Sequence, residues 1–104
     1  MPLNANETVI IDMGGAEYTL AIETLTGNTL RVDPGGAGAD FLLPAEADCP
    51  GVTLVIFNTA DAAEAITVKD DSDTTTVMVL DQGQSGICHC DGSSWVGGSV
   101  AAST

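Results

Sequence analysis

The chain has 104 residues, a common size for a single domain, and carries 15 Asp or Glu residues against two basic ones, for a net charge of -13. Nucleic-acid binding needs several Lys or Arg side chains to neutralise phosphates, and docking on an anionic membrane needs basic residues too, so this composition argues against both partners. The acidity is explained either by solubility or by a basic or cation-bridged partner.

The ends of the chain and its cysteines bear on where the protein is made. The N-terminus lacks the basic and apolar regions of a secretory signal, and no apolar run approaches the roughly 20 residues of a membrane span. Cys49, Cys88 and Cys90 are odd in number. An odd number disfavours a disulfide framework and fits a reducing cytoplasm, so the sequence predicts buried thiols and use without export.

Composition also suggests how the chain is organised. Residues 1–12 are predicted to form an extended N-terminal arm, and residues 97–104, which are all small, a flexible C-terminal tail. Residues 13–96 are predicted to fold as one β domain. The glycine-rich loop at 33–38 is an excursion within that domain, because the segment before it has too little apolar material to fold alone.

Short apolar runs separated by turns predict the strands in chain order. Residues 8–12 and 29–32 are brief strand candidates, and residues 17–24 alternate well enough for a strand, with a helix as the competing interpretation. The run at 41–44 ends in proline, which is typical of an edge strand. Residues 52–57 are apolar on both faces, which predicts the most buried strand of the fold.

Residues 51–95 organise the prediction, because four apolar runs rich in β-branched residues alternate there with polar turns. No segment has a helical period. The sequence therefore predicts an all-β fold, a small antiparallel β-sandwich or barrel of about eight short strands. The predicted core residues are Leu54, Ile56, Phe57, Ile66, Val68, Val77, Val79 and Trp95.

Cys88, His89 and Cys90 are the most visible candidates for chemistry. Alternation along a strand sends the two cysteines to one face and the histidine to the other, so the three cannot converge on one metal ion or form a nucleophile and base pair. His89 is also the only histidine. We therefore predict no metal site, no cofactor and no enzymatic activity.

Asp70, Asp71 and Asp73 resemble the beginning of a calcium-binding loop. An EF-hand pattern that starts at Asp71 would need glycine where the chain has Thr76 and glutamate where it has Gln82. The three aspartates are predicted to form a hairpin turn, with a weak cation site as the alternative.

One resemblance covers residues 41–96, about half of the chain. The segments that carry it read FLLP, GVTLVIFN, AITVKD, VMVLDQGQS and CDGSSW, at residues 41–44, 51–58, 65–70, 77–85 and 90–95. In this order they resemble small β modules of tailed-bacteriophage virions, which occur in capsid decoration (cement) proteins and in head or tail fibres.

The resemblance implies a function that fits the composition. It implies a structural virion protein made in the host cytoplasm, a decoration protein that binds the major capsid protein on the outer surface of the head, as a homotrimer. In that interpretation Leu3, Val9, Ile10 and Ile11 of the arm contact the capsid. The alternatives are a fibre or receptor-binding module that contacts the host surface, and an enzyme or metal-binding β domain.

Overall fold

A computed structural model describes residues 4–100 of the chain, with the side chains of residues 8–23 and 25–100. Nine strands form two sheets. The five-stranded sheet contains β1 (Asn4–Asp12), β3 (Gly27–Asp33), β5 (Thr53–Asn58), β8 (Ser85–Cys90) and β9 (Trp95–Val100), in that order. The four-stranded sheet contains β2 (Tyr18–Thr19), β4 (Ala39–Leu42), β6 (Ile66–Lys69) and β7 (Thr76–Leu80).

The two helices described in this range are short 3-10 helices at Ile22–Thr24 and Glu46–Asp48. Neither could cross a membrane, and no other helix in residues 4–100 is long or apolar enough to do so.

The first six strands alternate between the two sheets. β1, β3 and β5 pair in parallel in one sheet, while β2, β4 and β6 pair in parallel in the other. Each passage from one sheet to the other and back is therefore one coil, and three coils stack as a short parallel solenoid. Like positions stack between coils: Tyr18 pairs with Phe41, and their ring centroids are 5.5 Å apart.

The last three strands pair antiparallel with their neighbours and close the end of the solenoid. β7 pairs antiparallel with β6, β8 pairs antiparallel with β5, and β9 pairs antiparallel with β8. The all-β class is confirmed, but the sheets are mixed, so the predicted antiparallel arrangement is wrong for the first six strands. The coils are unequal in length. The paired residues Thr8 and Thr29 are closer in the sequence than the paired residues Leu30 and Ile56. The unequal coils leave no visible repeat in the sequence.

The predicted arm and tail are largely strands of the five-stranded sheet. Residues 4–12 form β1, whose Ile11 is buried and whose Val9 packs against the core, so neither side chain is available to a capsid subunit. Ile10 of the predicted contact set is 81% exposed. Residues 97–100 belong to β9. Leu3 and residues 101–104 lie outside the described residues.

The segment at 17–24 is shorter as a strand than predicted. Only Tyr18 and Thr19 pair, and the chain then turns through the 3-10 helix, where Leu20 and Leu25 flank it as buried residues.

The core lies between the two sheets. Leu54, Ile56, Ile66 and Val68 have no exposed surface and Trp95 is 5% exposed, which confirms these predicted core residues. Trp95 also donates a hydrogen bond from Nε1 to the Pro44 carbonyl at 2.9 Å. Val77 is half-buried and packs against the core, but the other two predicted core residues, Phe57 and Val79, are exposed.

These misplaced residues have one physical explanation. Successive side chains of a strand point to opposite faces, and Phe57 and Val79 point to the outer faces of their sheets, which no described residue covers. An apolar side chain on such a face is therefore exposed in the single chain.

Asn58 is the one buried polar residue among the described side chains. Its Nδ2 donates to the carbonyls of Glu64 at 2.8 Å and Leu80 at 2.9 Å, and its Oδ1 accepts from the Ala60 N–H at 2.9 Å. Its backbone bonds Gln84 and Gly83. Asn58 thus joins the end of β5, inside the third coil, to the β7–β8 turn.

We expect Asn58→Asp to destabilise the fold by about 2–5 kcal/mol at neutral pH, because a carboxylate oxygen would face two buried carbonyls that lose their donor. The loss should be smaller near pH 4. The buried carboxyl would have a raised folded-state pKa, so its contribution to stability falls as pH rises through that value. Denaturant unfolding at both pH values measures this. Asn28→Asp, at a half-buried position, is the control and should change little at either pH.

Two adjacent glycines of β9 should respond differently to alanine. A Cβ at Gly97 would lie 2.6 Å from the Ile87 carbonyl oxygen and 2.9 Å from Cys88 Cβ, whereas a Cβ at Gly98 meets nothing within 4 Å. We expect Gly97→Ala to cost about 1–3 kcal/mol from overpacking and Gly98→Ala to be neutral or slightly stabilising. Thermal unfolding checks this, and equal effects would contradict the packing of β9 on β8.

Candidate functional site

The cysteine and histidine candidates are separated by the sheet. Cys49, Cys88 and Cys90 are buried free thiols, while His89 is exposed on the outer face, where its Nδ1 lies 2.7 Å from Thr53 Oγ1. Burial raises the pKa of Cys88 to about 12 and, with help from the neighbouring Cys90, that of Cys49 to about 11. Cys88 and Cys49 are therefore protonated thiols near neutral pH.

The aspartates at 70, 71 and 73 do not form one site. Asp70 Oδ1 accepts hydrogen bonds from Ser72 Oγ and from the backbone of Thr74 and Thr75, which closes the turn. Desolvation works to raise the pKa of Asp70, but these hydrogen bonds together outweigh it and lower the pKa. The predicted hairpin turn is confirmed.

Asp73 belongs to a different group of carboxylates. It lies 3.1 Å from Lys69 Nζ, and Asp40 lies 3.2 Å from the same ammonium group. Carboxylate oxygens of Glu17, Asp40 and Asp73 are within 4.8 Å of one another. Hydrogen bonds from Lys69 to Asp73 and Asp40 raise the pKa of the lysine. The ammonium group of Lys69 thus compensates charge on the four-stranded sheet.

Asp70 and Asp71 instead meet Glu46, at the 3-10 helix Glu46–Asp48. One oxygen of each carboxylate lies within 4.8 Å of the others, close enough to share a cation. A hydrogen bond from its own backbone lowers the pKa of Glu46. Desolvation, a hydrogen bond with Asp71 and the two negative charges raise it more, so the net pKa is raised. Glu46 is the member of this group that the sequence pattern missed, because it comes from a distant segment.

We expect Asp71→Asn to bring the pKa of Glu46 back towards its ordinary value, because it removes the adjacent negative charge. Since the folded-state pKa is raised, the contribution of Glu46 to stability is full at low pH and is lost as pH rises through that pKa. The substitution should reduce this loss. An NMR titration of the Glu46 carboxyl measures the pKa, and Asp61→Asn, at an exposed loop position, is the control.

The outer face of the five-stranded sheet has the opposite character. Strand register places three rows of side chains across it: Ile10, Arg31, Phe57, Ser85 and Val100; Thr8, Thr29, Val55, Ile87 and Gly98; Thr53, His89 and Val96. We call these three rows the open face. Five of its apolar side chains are exposed by between 40% for Phe57 and 81% for Ile10, and Val55 is half-buried.

No carboxylate lies in the three rows of the open face, although the chain has 15 acidic residues. Asp12 and Asp33 follow at one border, where their Oδ1 atoms accept the N–H groups of Gly14 and Gly35 at 2.9 Å and begin the loops. Arg31 makes no ion pair with a described residue, in contrast to Lys69. The three rows of the open face therefore combine apolar and polar side chains with Arg31 and no carboxylate, while Asp12 and Asp33 lie in the next row of the same face.

Comparison of the chain with protein-family models, curated proteins and solved structures gives no match. The two sheet surfaces and the residues that they present are therefore the features of the molecule that bear on its function.

Proposed function

We propose that this chain is a structural virion protein of a tailed phage, a decoration protein that binds the major capsid protein on the outer surface of the head and stabilises the capsid lattice. The observation that carries the proposal is the open face. Exposed apolar side chains on strand rows that hold no carboxylate, in a chain with a net charge of -13, fit a protein contact better than they fit solvent.

The opposite sides of the molecule support the same proposal. The four-stranded sheet presents Asp40 and Thr67 on its outer face, with the carboxylates of Glu17 and Asp73 close by. A protein that decorates a shell needs one surface that contacts the shell and another that stays hydrated. The outer faces of the two sheets, on opposite sides of the core, are suited to these two roles.

Stabilisation by such a protein needs no catalytic group. A ligand that binds only the assembled lattice lowers its free energy by the free energy of binding, multiplied over the copies bound. The homotrimer that the sequence resemblance implies is part of the proposal, as is assembly in the host cytoplasm.

The copy number of the chain in purified virions tests the proposal. We expect the chain on the head in numbers that match the capsid lattice, because a decoration protein occupies repeated positions. Quantitative mass spectrometry of intact particles and of separated heads and tails measures it. A few copies at the tail would instead support the fibre or receptor-binding module, and absence from the particle would contradict both.

A further inference from the structure

We infer that the open face is the surface through which this chain docks on the phage head, and that the patch it covers is apolar and presents a carboxylate to Arg31. This inference rests on the proposed function, and it names the docking surface and the chemistry of its partner.

The pattern of β5 is the first argument. Leu54 and Ile56 point into the core, and Val55 and Phe57 point outward. A strand that is apolar on both faces is typical of a sheet covered on both sides. Here only the inner side is covered within the described chain. Ile87 of β8 lies next to Val55 in register and is 52% exposed, so the outward apolar surface continues into the neighbouring strand.

The distribution of charge indicates what covers this side. A basic partner would be attracted to the carboxylates that surround Lys69 and Glu46, and the open face offers it none. Arg31 is the charged group that the open face presents, between Ile10 and Phe57 in register. A guanidinium that becomes buried in an interface without a partner costs free energy, so the complementary surface should supply a carboxylate.

A second copy of this chain fits the open face less well. The three rows of its own open face bring no carboxylate to Arg31, and two chains that each carry a net charge of -13 repel one another. The sheet measures about 24 Å across five strands and about 20 Å along them, from ordinary strand spacings, or roughly 450 Å² on one side. The two partners together would bury about twice this area, which is near the lower limit of a specific protein interface. In an interface this small, one central side chain should contribute a large share of the binding free energy.

Matched charge substitutions on the two sheets test the docking surface. Ile87→Asp lies on the open face and Val79→Asp on the four-stranded sheet, where Val79 is 44% exposed. Each adds one negative charge to an outward strand position. In co-sedimentation with heads that lack the protein, we expect Ile87→Asp to weaken binding by about tenfold or more. Val79→Asp should bind within about threefold of the wild-type chain, because it lies outside the contact.

Arg31 substitutions test the partner chemistry in the same assay. Arg31→Lys should keep most of the affinity, Arg31→Gln should lose about tenfold, and Arg31→Glu should lose more, because it would repel the carboxylate. Circular dichroism and thermal unfolding of each variant confirm that it is folded. Equal or tighter binding by Arg31→Glu would overturn the inference that the partner presents a carboxylate to Arg31.

The outcomes separate this inference from the proposed function. If the wild-type chain does not bind heads, the proposed function fails and the inference fails with it. If the wild-type chain binds and Ile87→Asp binds equally well, the decoration role stands and the open face is not the contact. If Ile87→Asp instead dissociates an oligomer in analytical ultracentrifugation and leaves head binding unchanged, a second copy covers the face, which also overturns the inference.

Discussion

The hydrogen bonds of Asn58 are the interaction on which the architecture depends. Asn58 ends β5, where the chain leaves the five-stranded sheet for β6, and its side chain holds the β5–β6 loop against the end of β7. One side chain satisfies the carbonyls of Glu64 and Leu80 and the N–H of Ala60, while its backbone secures the turn before β8. An apolar residue of the same size could fill the space but would leave these groups unpaired in the core. Asn58 therefore fastens the third coil to the antiparallel strands that end the solenoid.

This ending has a consequence for the surface of the molecule. A parallel solenoid grows by adding coils and needs different strands to stop it. Here β8 and β9 extend the five-stranded sheet past the last coil, and β7 ends the four-stranded sheet. The five-stranded sheet thereby becomes the wider of the two. The closing strands also contribute Ile87, Val96 and Val100 to the open face, so the device that ends the fold enlarges its apolar surface.

Local patterns predicted much of the fold. Strand alternation correctly separates His89 from Cys88 and Cys90, and short apolar runs locate β5 to β8 and the beginning of β9, because period-two patterns and turn residues are properties of neighbouring residues. The parallel pairing of β1 with β3 could not be predicted, since unequal coils conceal the repeat. The meeting of Glu46 with Asp70 and Asp71 likewise depends on long-range packing.

The wrong prediction that Phe57 lies in the core is informative about the surface of the molecule. The sequence of β5, apolar on both faces, predicts a fully buried strand, and half of that prediction holds, because Leu54 and Ile56 are in the core. Exposing Phe57 and Ile87 to water gives the single chain nothing in stability, and acidic residues, abundant elsewhere, would hydrate this side better. The absence of acidic residues from the three rows of the open face supports the proposal that this surface becomes buried in an assembly. In the proposed assembly β5 is covered on both sides, which is what its sequence pattern predicts.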